Sequence, residues 1–242
     1  MNINDFKATL AKEYPFRIEL HAHSRPVSPC SEVSPKELVD TYKAHNYDAL
    51  VLTNHYIRYL FKDLTKEEAV KYYLNDFKEA YEYGEQVGLK VYLGIEYRFD
   101  ENNNDYIIYG ANEEIVARIF DCFDMGLEKF RKEIQLPDSV FIQAHPLRNG
   151  CILQSADLLD GIETLNLHPG HNGQVGRAVR IADKENYKIT TIGSDFHHKN
   201  VDHEAVSALR TKFLPKDSFE LAKLLKSGDY IFEIGETSLI IP

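Results

Sequence analysis

Lys188-Ile189-Thr190-Thr191-Ile192-Gly193-Ser194-Asp195-Phe196-His197 is a short β-rich run that ends in glycine and then delivers two ligand-type side chains, two residues apart. Isoleucine and threonine favour a pleated, half-buried strand. In an extended chain, residues two apart point to one face, so Asp195 and His197 project together. Working outward, the same design recurs. Arg17–Leu20 runs into His21-Ala22-His23, again with an interval of two. Asp48–Leu52 leads to Thr53-Asn54-His55, Ser139–Gln143 to Ala144-His145-Pro146, and Lys90–Ile95 to Glu96.

Tyr106–Tyr109 and Gly161–Leu165 complete a set of seven strand candidates. Helix-forming stretches at Pro35–Ala44, Lys66–Val87, Glu113–Glu133, Gln174–Asn186 and Ser218–Lys226 alternate with them, the pattern of an α/β protein with a largely parallel sheet. Ser34-Pro35-Lys36-Glu37 is a capping-box signature, and Gly88 stands where a helix end takes a left-handed residue. One joint breaks the alternation. Tyr97 to Asp105 is too short for a crossover helix and rich in turn formers, so it reads as a hairpin after the third strand. The expectation is a distorted (β/α)7 barrel with one local antiparallel pair, occupying residues 1–242 as a single domain.

Composition narrows the function. Of 242 residues, 43% are apolar and 27% charged, enough for a sizeable core under an ordinary soluble surface. No apolar run is long enough for a membrane span, and the N-terminal segment lacks a secretory signal, so a cytoplasmic location is expected. The three cysteines, Cys30, Cys122 and Cys151, are odd in number and far apart, which suits reduced thiols. A net charge of −10 argues against extended nucleic acid as a partner but allows a short oligonucleotide at a metal site.

In a parallel barrel all strand C-termini open on one mouth, so these strand ends converge. Imidazole combined with carboxylate suits Zn, Mn or Fe rather than Mg or Ca alone. His45 and His203 read as surface residues, and His198 should point away from His197.

With these residues in view, the chain resembles the polymerase and histidinol phosphatase (PHP) superfamily. Its pattern of H-x-H, T-D-H, a third-strand Glu, a strand-end His and G-S-D-x-H is matched here by His21-Ala22-His23, Thr53-Asn54-His55, Glu96, His145 and Gly193-Ser194-Asp195-Phe196-His197. The resemblance runs from about residue 17 to 198 and implies a distorted seven-stranded barrel. It also implies two to three divalent metal ions. His21, His23, Glu96 and Asp195 would hold one ion, Glu96 would bridge to a second on His145, and His55 and His197 would serve a third. The chain departs from the pattern at Asn54, where Asp is usual. It also lacks a His between Glu96 and His145, and the loop Ser24–Cys30 has no His or Asp, leaving Cys30 as either a thiolate ligand or an inert thiol.

The resemblance implies hydrolysis of a phosphoester, a small phosphorylated metabolite or short nucleotide, by metal-activated water. His55, His197 and Asp195 are the expected catalytic residues. Arg25, Arg148 and His168 are the expected substrate contacts, with Arg58 a weaker third arginine. Two other classes fit parts of the pattern: an amidohydrolase-like C–N hydrolase, although no Lys ends a central strand, and a metal-binding module without catalysis.

Overall fold

The computed structural model describes residues 2–200, 203–235 and 237–242. All seven expected strands are present as β1 (Phe16–Ala22), β2 (Ala49–Leu52), β4 (Lys90–Arg98), β5 (Tyr106–Tyr109), β6 (Val140–Gln143), β7 (Gly161–Asn166) and β8 (Ile189–Gly193). Four more were not expected: β3 (His55–Ile57), β9 (Ser207–Thr211), β10 (Ile231–Ile234) and β11 (Ser238–Ile240). They are three to five residues long, near the lower limit at which alternation can be recognised.

The helices are α1 (Ile3–Glu13), α2 (Pro35–Ala44), α3 (Lys66–Val87), α4 (Glu113–Ile119), α5 (Gly126–Glu133), α6 (Val175–Lys184) and α7 (Ser218–Ser227). The single helix expected over Glu113–Glu133 is therefore two. Gly126 takes a φ of 70°, which no helix interior accepts, and a 3-10 turn at Phe120–Cys122 separates the pieces. Ser34 and Thr65 close capping boxes on α2 and α3, and Gly88 ends α3 in the left-handed region as its sequence suggests. No described helix is long and apolar enough to cross a membrane.

The sheet runs β11-β10-β9-β1-β2-β4-β5-β6-β7-β8, with β3 paired to β4. β1, β2 and β4 are parallel neighbours, as are β6, β7 and β8. β5 runs against both β4 and β6, so the expected hairpin is a reversed strand set between the two parallel groups. Its side chains alternate cleanly. Tyr106 and Ile108 join the core that includes residues of α3, α4 and α5, whereas Ile107 and Tyr109 join the core completed by Leu221, Ala222, Leu224 and Leu225 of α7. Ser218, at the start of α7, ties this plug to the sheet by donating to the Leu93 carbonyl at 2.6 Å and accepting from the Gly110 amide at 2.9 Å. The curled sheet closes at one end through the parallel bridge between Ala22 and Phe196, while β9 pairs antiparallel to the start of β1.

Candidate metal centre

That bridge places His21-Ala22-His23 beside Asp195-Phe196-His197. The His23 amide donates to the Phe196 carbonyl at 3.0 Å, and the Phe196 amide to the His21 carbonyl at 3.2 Å. Gly193 permits the approach: a Cβ there would overlap the His21 Cβ and stand 2.5 Å from Glu163 Oε1. Asp195 and His145 both have left-handed backbones, with φ of 52° and 28°. Such conformations cost on the order of 1–3 kcal/mol in non-glycine residues and concentrate at functional sites. Here they turn two side chains back over the mouth.

The side chains converge on two carboxylates. Glu96 Oε1 lies 3.3 Å from His21 Nε2 and 3.0 Å from His145 Nε2, and its Oε2 lies 3.5 Å from His23 Nε2 and 2.5 Å from His55 Nδ1. Asp195 Oδ1 stands 3.5 Å from His21 Nε2, 3.3 Å from His23 Nε2 and 3.4 Å from His197 Nδ1. Among the described residues, three sets have ligand atoms within 4.8 Å of one another: His21, His23 and Glu96; Glu96, Asp105 and His145; and His23, His55 and His197. His21 Nε2, His23 Nε2, His55 Nδ1 and Glu96 Oε2 are buried without a properly directed hydrogen bond. Buried polar atoms left this way are costly, and divalent cations held among them would satisfy them. The donor set, imidazole nitrogen and carboxylate oxygen, fits Zn, Mn or Fe.

The surrounding hydrogen bonds select the tautomers such ions need. His21 Nδ1 meets Glu163 Oε1 at 2.9 Å, and His197 Nδ1 meets the Asp195 carbonyl at 2.7 Å. Both partners only accept, so both Nδ1 atoms carry a proton, and Nε2 is the atom left to give a lone pair to an ion that displaces its proton. For His23 the argument passes through Ser28 and Asn54. The Ser24 amide donates to Asn54 Oδ1 at 2.7 Å, and Ser28 gives its one proton to that same oxygen at 3.0 Å. Ser28 Oγ then accepts from His23 Nδ1 at 3.2 Å and from the His55 amide at 2.9 Å, leaving His23 Nε2 unprotonated.

Against burial, Glu163, Asp195 and Glu96 raise His21 well above the usual imidazole range, and Glu96 does so for His55, so without an ion these rings hold a second proton that a bound cation would displace. Burial works to raise Glu96 and Asp195, but His55 and His21 hold Glu96 well below the usual carboxylate range, and His21, His23 and His197 do so for Asp195. Burial, reinforced by His197 and His55, pushes His23 well below the usual imidazole range, consistent with a neutral ring.

His21, His23, His55, Glu96, His145, Asp195 and His197 thus stand together. Arg148 joins them, with Nη2 2.7 Å from Asp195 Oδ2 and Nη1 3.4 Å from His145 Nε2. His168 is at the edge, its ring centroid 5.5 Å from that of His197, and burial together with His203, His197 and His171 brings its pKa down to about 3. Its Nδ1 accepts from the Gly170 amide at 3.0 Å, so the neutral ring has its proton on Nε2. Arg25 is exposed and lines a surface recess with Pro26, Pro29, Ser34, Pro35 and Glu79. Arg58 pairs with Asp100 at 2.6 Å. A cavity of about 1120 Å³ between α3, α4 and the start of α7 is lined by none of the strand-end ligand candidates.

His203 corrects a sequence expectation. It is fully buried rather than on the surface, and its Nε2 meets the carbonyls of Ser194 and Asp195, each at 2.9 Å, bracing the left-handed turn at Asp195. His45 is half-exposed, 3.4 Å from Glu204. His198 faces Glu32 at 3.3 Å.

Two carboxylates here escaped the sequence reading. Asp105 precedes β5, and because β5 is reversed its first residue lies at the mouth, next to the strand ends of its neighbours. Its Oδ2 stands 3.7 Å from His145 Nε2, and Arg98 grips both oxygens at 2.6 Å. The hairpin at Tyr97–Asp105 was the available signal. Glu163 also supports the His145 amide, accepting from it at 2.9 Å. A lone acid within the buried strand Gly161–Asn166 was its signal.

The PHP domain family profile matches residues 19–192. Among solved structures, the chain is similar to a two-domain protein from Bacteroides vulgatus containing a predicted PHP-like metal-dependent phosphoesterase. The TM-score is 0.62 at 15% identity, covering 91% of this chain and 65% of that one. A protein from Bifidobacterium adolescentis assigned as a metal-dependent phosphoesterase gives 0.48 at 18% identity, over 75% and 88% of the two chains. An amidohydrolase from Chromobacterium violaceum gives 0.49 at 15%, over 77% and 89%. No curated protein matches the chain.

Proposed function

The chain belongs to the PHP domain family, and we propose that it acts as a metal-dependent phosphoesterase on a small phosphorylated metabolite or short nucleotide in the cytoplasm. The observation that supports this best is the convergence of unpaired, buried imidazole and carboxylate atoms at one mouth. In this proposal His21, His23, Glu96 and Asp195 would hold one divalent ion, and Glu96, Asp105 and His145 would hold a second. His55 and His197 would serve a third. Divalent ions in such a cluster lower the pKa of water towards neutrality and offset charge on a transferred phosphoryl group.

The chain's own residues supply direction. Arg148 presents a planar fork at the rim, and phosphate oxygens would replace its contact with Asp195. His168 in its neutral form offers an Nε2–H to a substrate oxygen. Glu163 and the Asp195 carbonyl keep His21 and His197 oriented, while Ser28 does so for His23. With a net charge of −10, local cations at this mouth must reverse the mean field that repels a phosphate.

The test is a phosphoester panel on metal-reconstituted protein, with mononucleotides, dinucleotides and histidinol phosphate, supplied in turn with Zn, Mn and Fe. Turnover should vanish on chelation and return with metal. Metal uptake without turnover of any member would leave a binding module instead, and absence of uptake would reject the metal centre.

A further inference from the structure

We infer that Glu19 is a positioning residue of the metal centre: its buried carboxyl group locks the end of β1 to the end of β8 and so sets His21 and Asp195 at the spacing one ion requires. The inference rests on the proposed metal dependence and assigns the alignment of its first site to a residue outside the ligand sets.

The ends of these two strands are held irregularly. β1 is bulged where the first ligand leaves it: Glu19 faces Leu50 and Ala22 faces Leu52, so three steps on β1 match two on β2. A bulge re-aims a side chain and takes backbone groups out of the ladder. On its other flank, β1 meets the chain after β8 through the isolated bridge of Ala22 and Phe196. Glu19 fills this junction. Its Oε1 accepts from the amides of Leu20 at 3.0 Å, His21 at 2.9 Å and Ser194 at 3.0 Å. One oxygen thus holds the main chain of His21 and that of the residue before Asp195.

The carboxyl group is itself fixed from behind. Its Oε2 accepts from Ser207 Oγ of β9 at 2.9 Å and from Tyr42 Oη of α2 at 3.1 Å. Tyr42 Oη also meets Ser194 Oγ at 2.9 Å, and Ser194 Oγ donates to the His21 carbonyl at 3.3 Å, which closes a ring around the junction. Glu19, Tyr42 and Ser194 are all fully buried. Burying a carboxyl group is costly, and these donors offset that cost. An apolar side chain would fill the space without it but would strand the Leu20, His21 and Ser194 amides. Glu163 fixes the turn of the His21 ring through Nδ1, whereas Glu19 fixes the main chain from which that ring projects. The 3.5 Å between His21 Nε2 and Asp195 Oδ1 depends on both. Partners that orient metal ligands in this way commonly carry about 10- to 100-fold in metal affinity.

The full chain should be titrated with Zn²⁺ and with Mn²⁺ against a fluorescent chelator, alongside Glu19→Gln, Glu19→Asp and Ser207→Ala, with circular dichroism and urea midpoints as controls. Glutamine keeps the reach: its oxygen accepts the three amides, and its NH2 group donates to Tyr42 and Ser207, whose hydroxyls can turn. Aspartate keeps the charge but falls one methylene short of Ser194. Affinity at the tightest site should therefore stay near the parent value in Glu19→Gln and weaken by about 10- to 100-fold in Glu19→Asp. Ser207→Ala should lower the urea midpoint and leave metal affinity at the parent value, since the three amides still hold Oε1. In the unaltered protein, stripping the metal should leave the Leu20, His21 and Ser194 amides protected from hydrogen exchange. This measurement stands even if the variants fold poorly. Parent affinity in Glu19→Asp, equal losses in Glu19→Gln and Glu19→Asp, or a loss in Ser207→Ala as large as in Glu19→Asp would overturn the inference. Amides that open on stripping would do so too, because the ion and not Glu19 would then align the strands. Any of these results in a chain that binds metal would leave the proposed activity standing, whereas a parent that binds neither ion would reject both.

Discussion

Glu96 has four imidazoles within 3.5 Å, more than any other carboxylate of the cluster. Removing its charge should therefore cost more metal than removing one ring. Glu96→Gln should fall below about one bound ion with the fold retained, since bridging carboxylates serve two ions at once; elemental analysis with circular dichroism checks this, and two tightly held ions would disprove the bridge. Arg148 answers a different question, because it touches ligands without being one. Arg148→Ala should leave metal content unchanged and lower kcat/KM by roughly 30- to 150-fold, mostly through KM, if its fork holds phosphate. Asn54 is a departure that the structure explains. Its Nδ2 donates to Asp76 Oδ2 at 3.2 Å, and an aspartate there would set two buried carboxylates against each other. Burial raises Asp76 to about 6 despite hydrogen bonds from Val27, Ser24 and Asn54. Below its ordinary pKa of 3.8 the folded and unfolded chains both hold this proton; above that only the folded one does, so its contribution to stability declines until about pH 6 and stays low. Asp76→Asn should be close to neutral near pH 4 and stabilise on the order of 2 kcal/mol at pH 8, as read from urea midpoints. A constant difference across that range would show that Asp76 does not titrate there.

At the scale of elements, strand direction decides which residues reach the mouth. β1, β2, β4, β6, β7 and β8 deliver residues from their C-terminal ends, but β5 delivers Asp105 from its N-terminal end because it runs the other way. Asp105 is thus the carboxylate that stands where the histidine missing between Glu96 and His145 would be sought. Asp105→Ala should lose about one ion, the one shared by Glu96 and His145, and leave the first in place. Retention of full metal content would make Asp105 only an anchor for Arg98.

The molecule as a whole is closed by elements distant from the chemistry. Glu233 on β10 binds Arg17 of β1 at 2.9 Å and Arg210 of β9 at 2.6 Å, with all three side chains largely buried. Arg210 reaches on to the carbonyls of Ala11 and Tyr14 at 3.1 and 2.8 Å, fastening the end of α1. Losing the shared carboxylate strands two buried cations, which costs about 3–5 kcal/mol. Glu233→Ala should lower the denaturation midpoint by that much; a change under about 1 kcal/mol would mean that solvent reaches the arginines.

The division between sequence and structure follows from what is local. His21-Ala22-His23 was legible because the pair ends its strand at an interval of two, and a pleated chain aims such residues together, whereas Asp195-Phe196-His197 was legible by residue type and spacing although Asp195 turns left-handed after β8 instead of extending it. The seven main strands were legible for the same reason, through composition and length alone. Asp105, Glu163 and His203 were not. Asp105 depends on β5 pairing antiparallel to both neighbours, and Glu163 meets His21 at 2.9 Å because Gly193 leaves room for that approach. His203 reads as polar loop until the chain returns it beneath Asp195. A residue's type and the face it occupies are written in its own segment, whereas the partner it meets is set by which strands pair and in which direction, and only the assembled sheet decides that.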